Sequence, residues 1–155
     1  MNLHQEYLTQ EKFNELEKEL EFLKSDKRKE IAENLEYAKS LGDLSENQEY
    51  QEARDSQAVL EDRINRLENI LKTALIVSTG NSNRVMVGSE LIVEKNGTGD
   101  RRTITIVGSE EADAVSSKVS MKSPLGIAAL GKSKGDIFSF ETPNGIVSMK
   151  IIDIK

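Results

Sequence analysis

Two seams in the first half of the chain mirror each other. One runs Phe13, Leu16, Leu20, Leu23, Lys27, Ile31, Leu35, Ala38; the other runs Tyr50, Ala53, Gln57, Leu60, Ile64, Leu67, Leu71, Ala74. Steps of three and four residues, apolar at most positions, mark a helix that packs along one side. Taken in reverse order, the pairs from Phe13 with Ala74 to Leu23 with Ile64 have residue numbers that add to 87. The pairs from Ile31 with Gln57 to Ala38 with Tyr50 add to 88. A constant sum requires antiparallel pairing and puts the tip of a helical hairpin at Asp43 to Leu44. The step from 87 to 88 means one extra residue in the first helix near Lys27, expected as a mild local unwinding of the supercoil. The arm should reach roughly 45 Å at about 1.5 Å per residue.

Such an arm explains a composition that would otherwise be poor for a globular fold. Hydrophobic residues make up 37% of the 155 and charged residues 31%, a balance suited to a coiled coil that needs only its seam apolar. The net charge of −6 is uneven: residues 1–75 hold 11 Lys/Arg against 18 Asp/Glu, and the remainder hold 10 against 9. That bias disfavours autonomous DNA or RNA binding through phosphates. The absence of cysteine excludes disulfides and thiolate sites. With no signal-peptide pattern and no long apolar run, the expected location is the cytoplasm, away from membranes.

Local signals punctuate the hairpin. Thr9 is a plausible N-cap for the first helix. Gly42 is a stop after Leu41, with Lys39 in the last turn. Ser45 with Gln48 reads as the capping box that starts the second helix. Residues 78–84 read as a linker. Beyond it the period becomes two, with strand signals at Val85, Val87, 91–93, 103–107 and 119–121 and a turn at 96–100. Pro124 opens a short helix over 125–130 that Gly131 ends. Strands 137–140 and 146–154 flank Thr142-Pro143-Asn144-Gly145, a hairpin signal. The expected fold is therefore α+β with two domains: an antiparallel coiled-coil hairpin (1–77), a linker (78–84) and an antiparallel α+β domain (85–155).

At the hairpin tip, Asp43 and Glu46 stand three apart, with Glu49 one turn further. Acidic groups at a helix start are common caps and favour its dipole. Ser45 and Gln48 already suffice for capping, however, and three carboxylates at an exposed end repel one another. The second reading is metal chelation. Mg²⁺ takes oxygen ligands in octahedral geometry, commonly one or two carboxylates with water and phosphate. Two tip carboxylates would supply part of such a shell, a half-site donated to another molecule's active centre.

The run Gly42-Asp43-Leu44-Ser45-Glu46-Asn47-Gln48-Glu49-Tyr50, followed by Ala53-Arg54-Asp55-Ser56-Gln57, resembles the tip signature of the Gre transcript-cleavage factors of bacterial RNA polymerase. Ser123-Pro124-Leu125-Gly126-Ile127-Ala128-Ala129-Leu130-Gly131-Lys132, with Gly135-Asp136, is similar to their C-terminal motif. Phe22-Leu23-Lys24-Ser25, Ile106-Val107-Gly108 and Glu111-Ala112-Asp113 also match, so the likeness spans essentially the whole chain. The acidic tip favours the GreA type.

The resemblance implies an FKBP-like C-terminal domain docked at the rim of the polymerase secondary channel, with the coiled coil inside. It implies that Asp43 and Glu46 help the polymerase hold a second Mg²⁺ that neither residue binds alone. That metal activates water for cleavage of backtracked RNA, with the polymerase as the enzyme. It also implies contacts to polymerase or RNA from Leu44, Ser45, Asn47, Arg54, the basic cluster Lys27-Arg28-Lys29, and Ser123, Pro124 and Leu125. The factor is expected as a monomer. The chain departs from the family at Gln48, often Ala, and at Ile127, often basic.

Blander readings stand beside these. Lys27-Arg28-Lys29 also fits a solvated face, and Arg54 a local ion pair. Tyr50 reads as seam, Leu44 as an exposed partner contact, and His4 has no credible catalytic or metal role. Rival functions are a channel-binding inhibitor with the same fold, a proline isomerase and a structural adaptor. Only Phe138 and Phe140 are aromatic in residues 76–155, which argues against a proline pocket.

Overall fold

The computed structural model describes every residue except Met1, Leu3, Thr79 and Asn81. The chain divides into two compact units, residues 13–73, and residues 1–12 together with 74–155. The expected boundary after residue 77 thus moves to residue 73, and the first twelve residues join the C-terminal half. The cause is a pair of strands too short to show a period. Strand β1 (Tyr7–Thr9) runs parallel to β2 (Leu75–Val77), with Leu8 opposite Ile76. Leu8 is wholly buried, and Tyr7 belongs to the core of this unit. Part of the expected linker, Thr79 and Asn81, lies outside the described residues. Its last residue, Arg84, already bridges Ser133.

The helical unit follows the seam closely. Helix α1 (Gln10–Phe22) is capped as expected: the Thr9 hydroxyl oxygen accepts from Lys12 N–H at 3.2 Å. Helix α2 (Arg28–Ser40) and helix α3 (Gln48–Thr73) complete the hairpin. Leu16, Ala38, Ala53, Leu60, Ile64 and Leu67 are buried, and every other seam residue is half-buried. Full burial of one such large side chain contributes about 1.5–3 kcal/mol. Ile70 is also buried, off the seam. Ion pairs Arg63–Glu19, Arg28–Glu61 and Lys24–Glu68 cross between the helices beside the seam, where coiled-coil flanking charges belong.

The extra residue near Lys27 is not spread out as gentle unwinding. It is absorbed in one π-turn, Leu23–Lys27, where Arg28 N–H reaches back five residues to the Leu23 carbonyl. The Ser25 hydroxyl donates to the Glu21 carbonyl at 2.8 Å, a side-chain bond of the kind that bends helices. Concentrating the insertion in one wide turn leaves both flanking stretches in regular register.

In the second unit, a five-stranded sheet has the order β5-β4-β3-β7-β6. Its strands are β3 (Glu90–Lys95), β4 (Arg101–Val107), β5 (Lys118–Ser120), β6 (Ile137–Thr142) and β7 (Gly145–Ile154). Three neighbouring pairs are antiparallel, and β4 with β5 is parallel. Thr142 opposite Gly145 closes the hairpin expected there. The core gathers Leu91, Val93, Ile104, Ile106, Met121, Ala129, Phe138 and Ile151. Val85 and Val87 join it without forming a strand. Val85 instead donates to the Lys132 carbonyl and accepts from Gly131 N–H.

Two glycines of the family-like stretches are set by close approach. A Cβ at Gly108 would sit 1.9 Å from the Tyr7 carbonyl oxygen, so only glycine lets β1 lie there. A Cβ at Gly126 would meet the Ser120 carbonyl oxygen at 2.1 Å, so helix α4 (Pro124–Ala129) packs directly on backbone.

Candidate functional site

The hairpin tip is built by Asn47, not by the predicted Ser45 box. Helix α2 ends at Ser40, and Gly42 follows with φ +126°. The Asn47 side-chain oxygen accepts from Tyr50 N–H at 3.0 Å and so caps α3. Its amide donates to the Ala38 carbonyl at 2.7 Å, satisfying an end carbonyl of α2. One side chain thus ties both helix ends together. Ser45 faces the other way, because its N–H (3.1 Å) and hydroxyl (3.0 Å) both donate to one Asp43 oxygen.

Those two bonds favour the charged form of Asp43. Donation from the Ser45 backbone N–H, and then from its hydroxyl, holds the exposed Asp43 carboxyl below the ordinary aspartate value. Glu46 is exposed on the same turn. Asp43 and Glu46 line one shallow depression together with Leu41, Asn47, Gln48, Glu49 and Glu52. The two predicted carboxylates are therefore brought together, and Glu52 joins them. Its place was readable in the sequence, since acids recur every three residues at 43, 46, 49 and 52. Among the described residues no group of three or more His, Cys, Asp or Glu side chains is arranged to hold a metal ion. Oxygen donors of this kind suit part of a Mg²⁺ shell.

The basic cluster does not stand open to phosphate as a unit. Lys27 pairs with Glu30 at 2.7 Å, and Arg28 grips both oxygens of Glu61 at 2.7 and 2.8 Å. That hydrogen-bonded pairing raises the Arg28 pKa and lowers that of Glu61. Lys29 is exposed. Arg54 is exposed and makes no bond to Asp55, so the local ion pair considered for it does not form. Tyr50 is half-buried at the top of the seam, and Leu44 is 41% exposed.

Ser123 and Leu125 serve the fold. The Ser123 hydroxyl donates to the Ser120 carbonyl and accepts from Gly126 N–H, capping α4. Leu125 packs against the core, and Pro124 is exposed. Sequence reasoning missed Glu111, a buried carboxylate that accepts from the Thr9 N–H at 3.2 Å and its hydroxyl at 3.0 Å. Its partner lies 102 residues away, and no local pattern announces such a pairing. No described helix is long and apolar enough to cross a membrane.

Comparison with known proteins places the family boundary between residues 76 and 80, close to the one expected from the sequence. Residues 6–76 match the family model of the transcription elongation factor N-terminal domain. Residues 80–155 match that of the GreA/GreB C-terminal domain. The chain is 44% identical to transcription elongation factor GreA of Thermoanaerobacter pseudethanolicus, over 96% of both chains. It is 42% identical to GreA of Staphylococcus saprophyticus over 99% of both, and 40% identical to GreA of Thermosipho melanesiensis over 96% of both. Among solved structures it is similar to GreA factor homolog 1 of Thermus thermophilus, at 28% identity and a TM-score of 0.45, covering 97% of this chain and 99% of that one.

Proposed function

Because the chain belongs to the GreA/GreB family of transcription elongation factors, we propose that it carries its acidic tip into the secondary channel of bacterial RNA polymerase and stimulates cleavage of backtracked RNA there. The observation that carries this reading is the tip itself. Asp43 is exposed with its orientation held by Ser45, Glu46 shares its depression, and Asn47 does the capping that would otherwise occupy them. Neither carboxylate caps a helix or forms an ion pair among the described residues, and the bonds from Ser45 take one Asp43 oxygen and not the other.

Asp43 and Glu46 would hold Mg²⁺ jointly with the polymerase, and that ion, when bound, supplies nucleophile activation and charge neutralisation at the phosphate. The chain's own residues orient the donors. Ser45 aims one Asp43 oxygen, and Asn47 fixes the loop between helices whose paired seam resists bending. The polymerase performs the cleavage, and this chain is a factor rather than the enzyme. It acts as a monomer in the cytoplasm, without gripping nucleic acid by itself. Contacts in the complex fall to the exposed Leu44, Lys29, Arg54 and Pro124. Ser123 and Leu125 contribute by shaping α4. Lys27 and Arg28 engage RNA only by releasing Glu30 and Glu61.

The test is a backtracked RNA polymerase complex with end-labelled RNA and Mg²⁺. The native protein should shorten the RNA, while the double Asp43→Ala, Glu46→Ala variant should bind the complex equally and leave the RNA intact. Native protein that binds and slows cleavage would instead show an inhibitor. Native protein that does neither would remove the functional reading and leave the architecture.

A further inference from the structure

On the helical unit the large hydrophobic residues left exposed are Phe22, Tyr37, Leu41, Leu44 and Val59. Three of the five fall within residues 37–44, at the tip. Tyr37 is 63% exposed and Leu41 51% exposed. They stand four apart, about one turn above each other, Tyr37 in the last turns of α2 and Leu41 at its C-cap. Leu41 then lines the depression that holds Asp43 and Glu46. An isolated exposed apolar side chain is ordinary, but an aromatic–aliphatic pair running up to a charged site marks a surface that another molecule covers.

The surroundings choose the class of that molecule. Residues 33–52 carry Glu33, Glu36, Asp43, Glu46, Glu49 and Glu52 against Lys39 alone, all exposed. None of these six acids takes part in an ion pair among the described residues. A polyanionic strand laid along this face would meet uncompensated like charge, whereas a polypeptide with an apolar centre and basic rim would match it. Resting on the function proposed above, we propose that Tyr37 and Leu41 form a docking face for an apolar, basic protein surface that lines the polymerase channel beside its active centre. The face would set how deeply the tip is held. Tyr37 supplies the anchor, since tyrosine offers large rigid area with few torsions to freeze, and Leu41 connects it to the carboxylates.

The experiment uses the full chain with backtracked complexes and reads the concentration needed for half-maximal RNA shortening. Tyr37→Ala should raise it roughly tenfold, the size expected for truncating an interface anchor. Tyr37→Phe should stay within about twofold, because the ring rather than the hydroxyl makes the contact. Folding does not confound the comparison, since alanine favours a helix at an exposed site. A photoreactive benzoylphenylalanine at position 37 should crosslink to a polymerase polypeptide. Crosslinking to the labelled RNA would overturn the inference in favour of base stacking. If the native protein stimulates cleavage but Tyr37→Ala is neutral and position 37 crosslinks to nothing, this inference falls alone. If the native protein neither binds nor stimulates, the function proposed above falls with it.

Discussion

The helical unit and the sheet unit use their family-like residues in opposite ways. In residues 13–73, packing runs mainly along a line of seam side chains, and the acidic signature residues Asp43, Glu46 and Glu49 lie at the end of that line, exposed. In the sheet unit the corresponding stretches are structural. Gly108 admits the Tyr7 backbone, Gly126 admits Ser120, Ser123 caps α4, and Glu111 takes two hydrogen bonds from Thr9. A hairpin stabilised along one axis needs nothing from its tip beyond a closed loop, which Asn47 supplies. A small sheet core draws on every turn around it. Similar degrees of family likeness therefore leave acidic side chains free at the surface of one unit and go into packing in the other.

The comparison is most open to attack at the seam. Leu67 is wholly buried, and Leu67→Ala should destabilise the hairpin by about 2–5 kcal/mol, read by chemical denaturation followed through helical circular dichroism. A loss no larger than at an exposed seam neighbour would refute the linear packing. Next in size, Gly126→Ala places a methyl against backbone in the sheet unit and should cost about 1–3 kcal/mol. Hydrogen exchange should show loosened protection around α4 and β5 while the hairpin amides keep theirs. Uniform loss across both units would erase the distinction drawn here.

At the tip, effects should be smaller and divided by residue. Asn47→Ala should lower hairpin stability by about 1 kcal/mol, the usual worth of an N-cap. Ser45→Ala should leave thermal unfolding nearly unchanged, and the reverse order would restore the capping box to Ser45. The smallest effect is electrostatic. Folding lowers the Asp43 pKa from 3.8, so the ionised carboxylate stabilises the turn fully above that value. Its contribution fades as pH falls through the lowered folded value. Carboxyl chemical shifts of Asp43, followed against pH, should move back toward the ordinary value in Ser45→Ala. Because the Ser45 backbone N–H, the larger cause, survives this change, the move should be partial, and an unchanged titration would mean that the hydroxyl adds nothing to the lowering.

Much of the helical unit was legible because its order is periodic. Seam spacing is a one-dimensional property, and it gave pairing, tip position and even the surplus residue at Lys27. The acidic spacing from Asp43 onward marked the site for the same reason. How the surplus was absorbed was not legible, since mild unwinding and a π-turn satisfy the same spacing. Only competition between packing and backbone hydrogen bonds selects the sharper solution. Asn47 outcompeted Ser45 for the cap because it alone also reaches the Ala38 carbonyl on the other helix, a contact absent from any local pattern. The β1–β2 pairing, the parallel β4–β5 pair and the Thr9–Glu111 bonds likewise join residues far apart in the chain. Periodicity reports the neighbours a residue has along its own helix or strand. Partners brought from a distance are chosen by where the whole chain finds its backbone groups satisfied and its apolar surface covered.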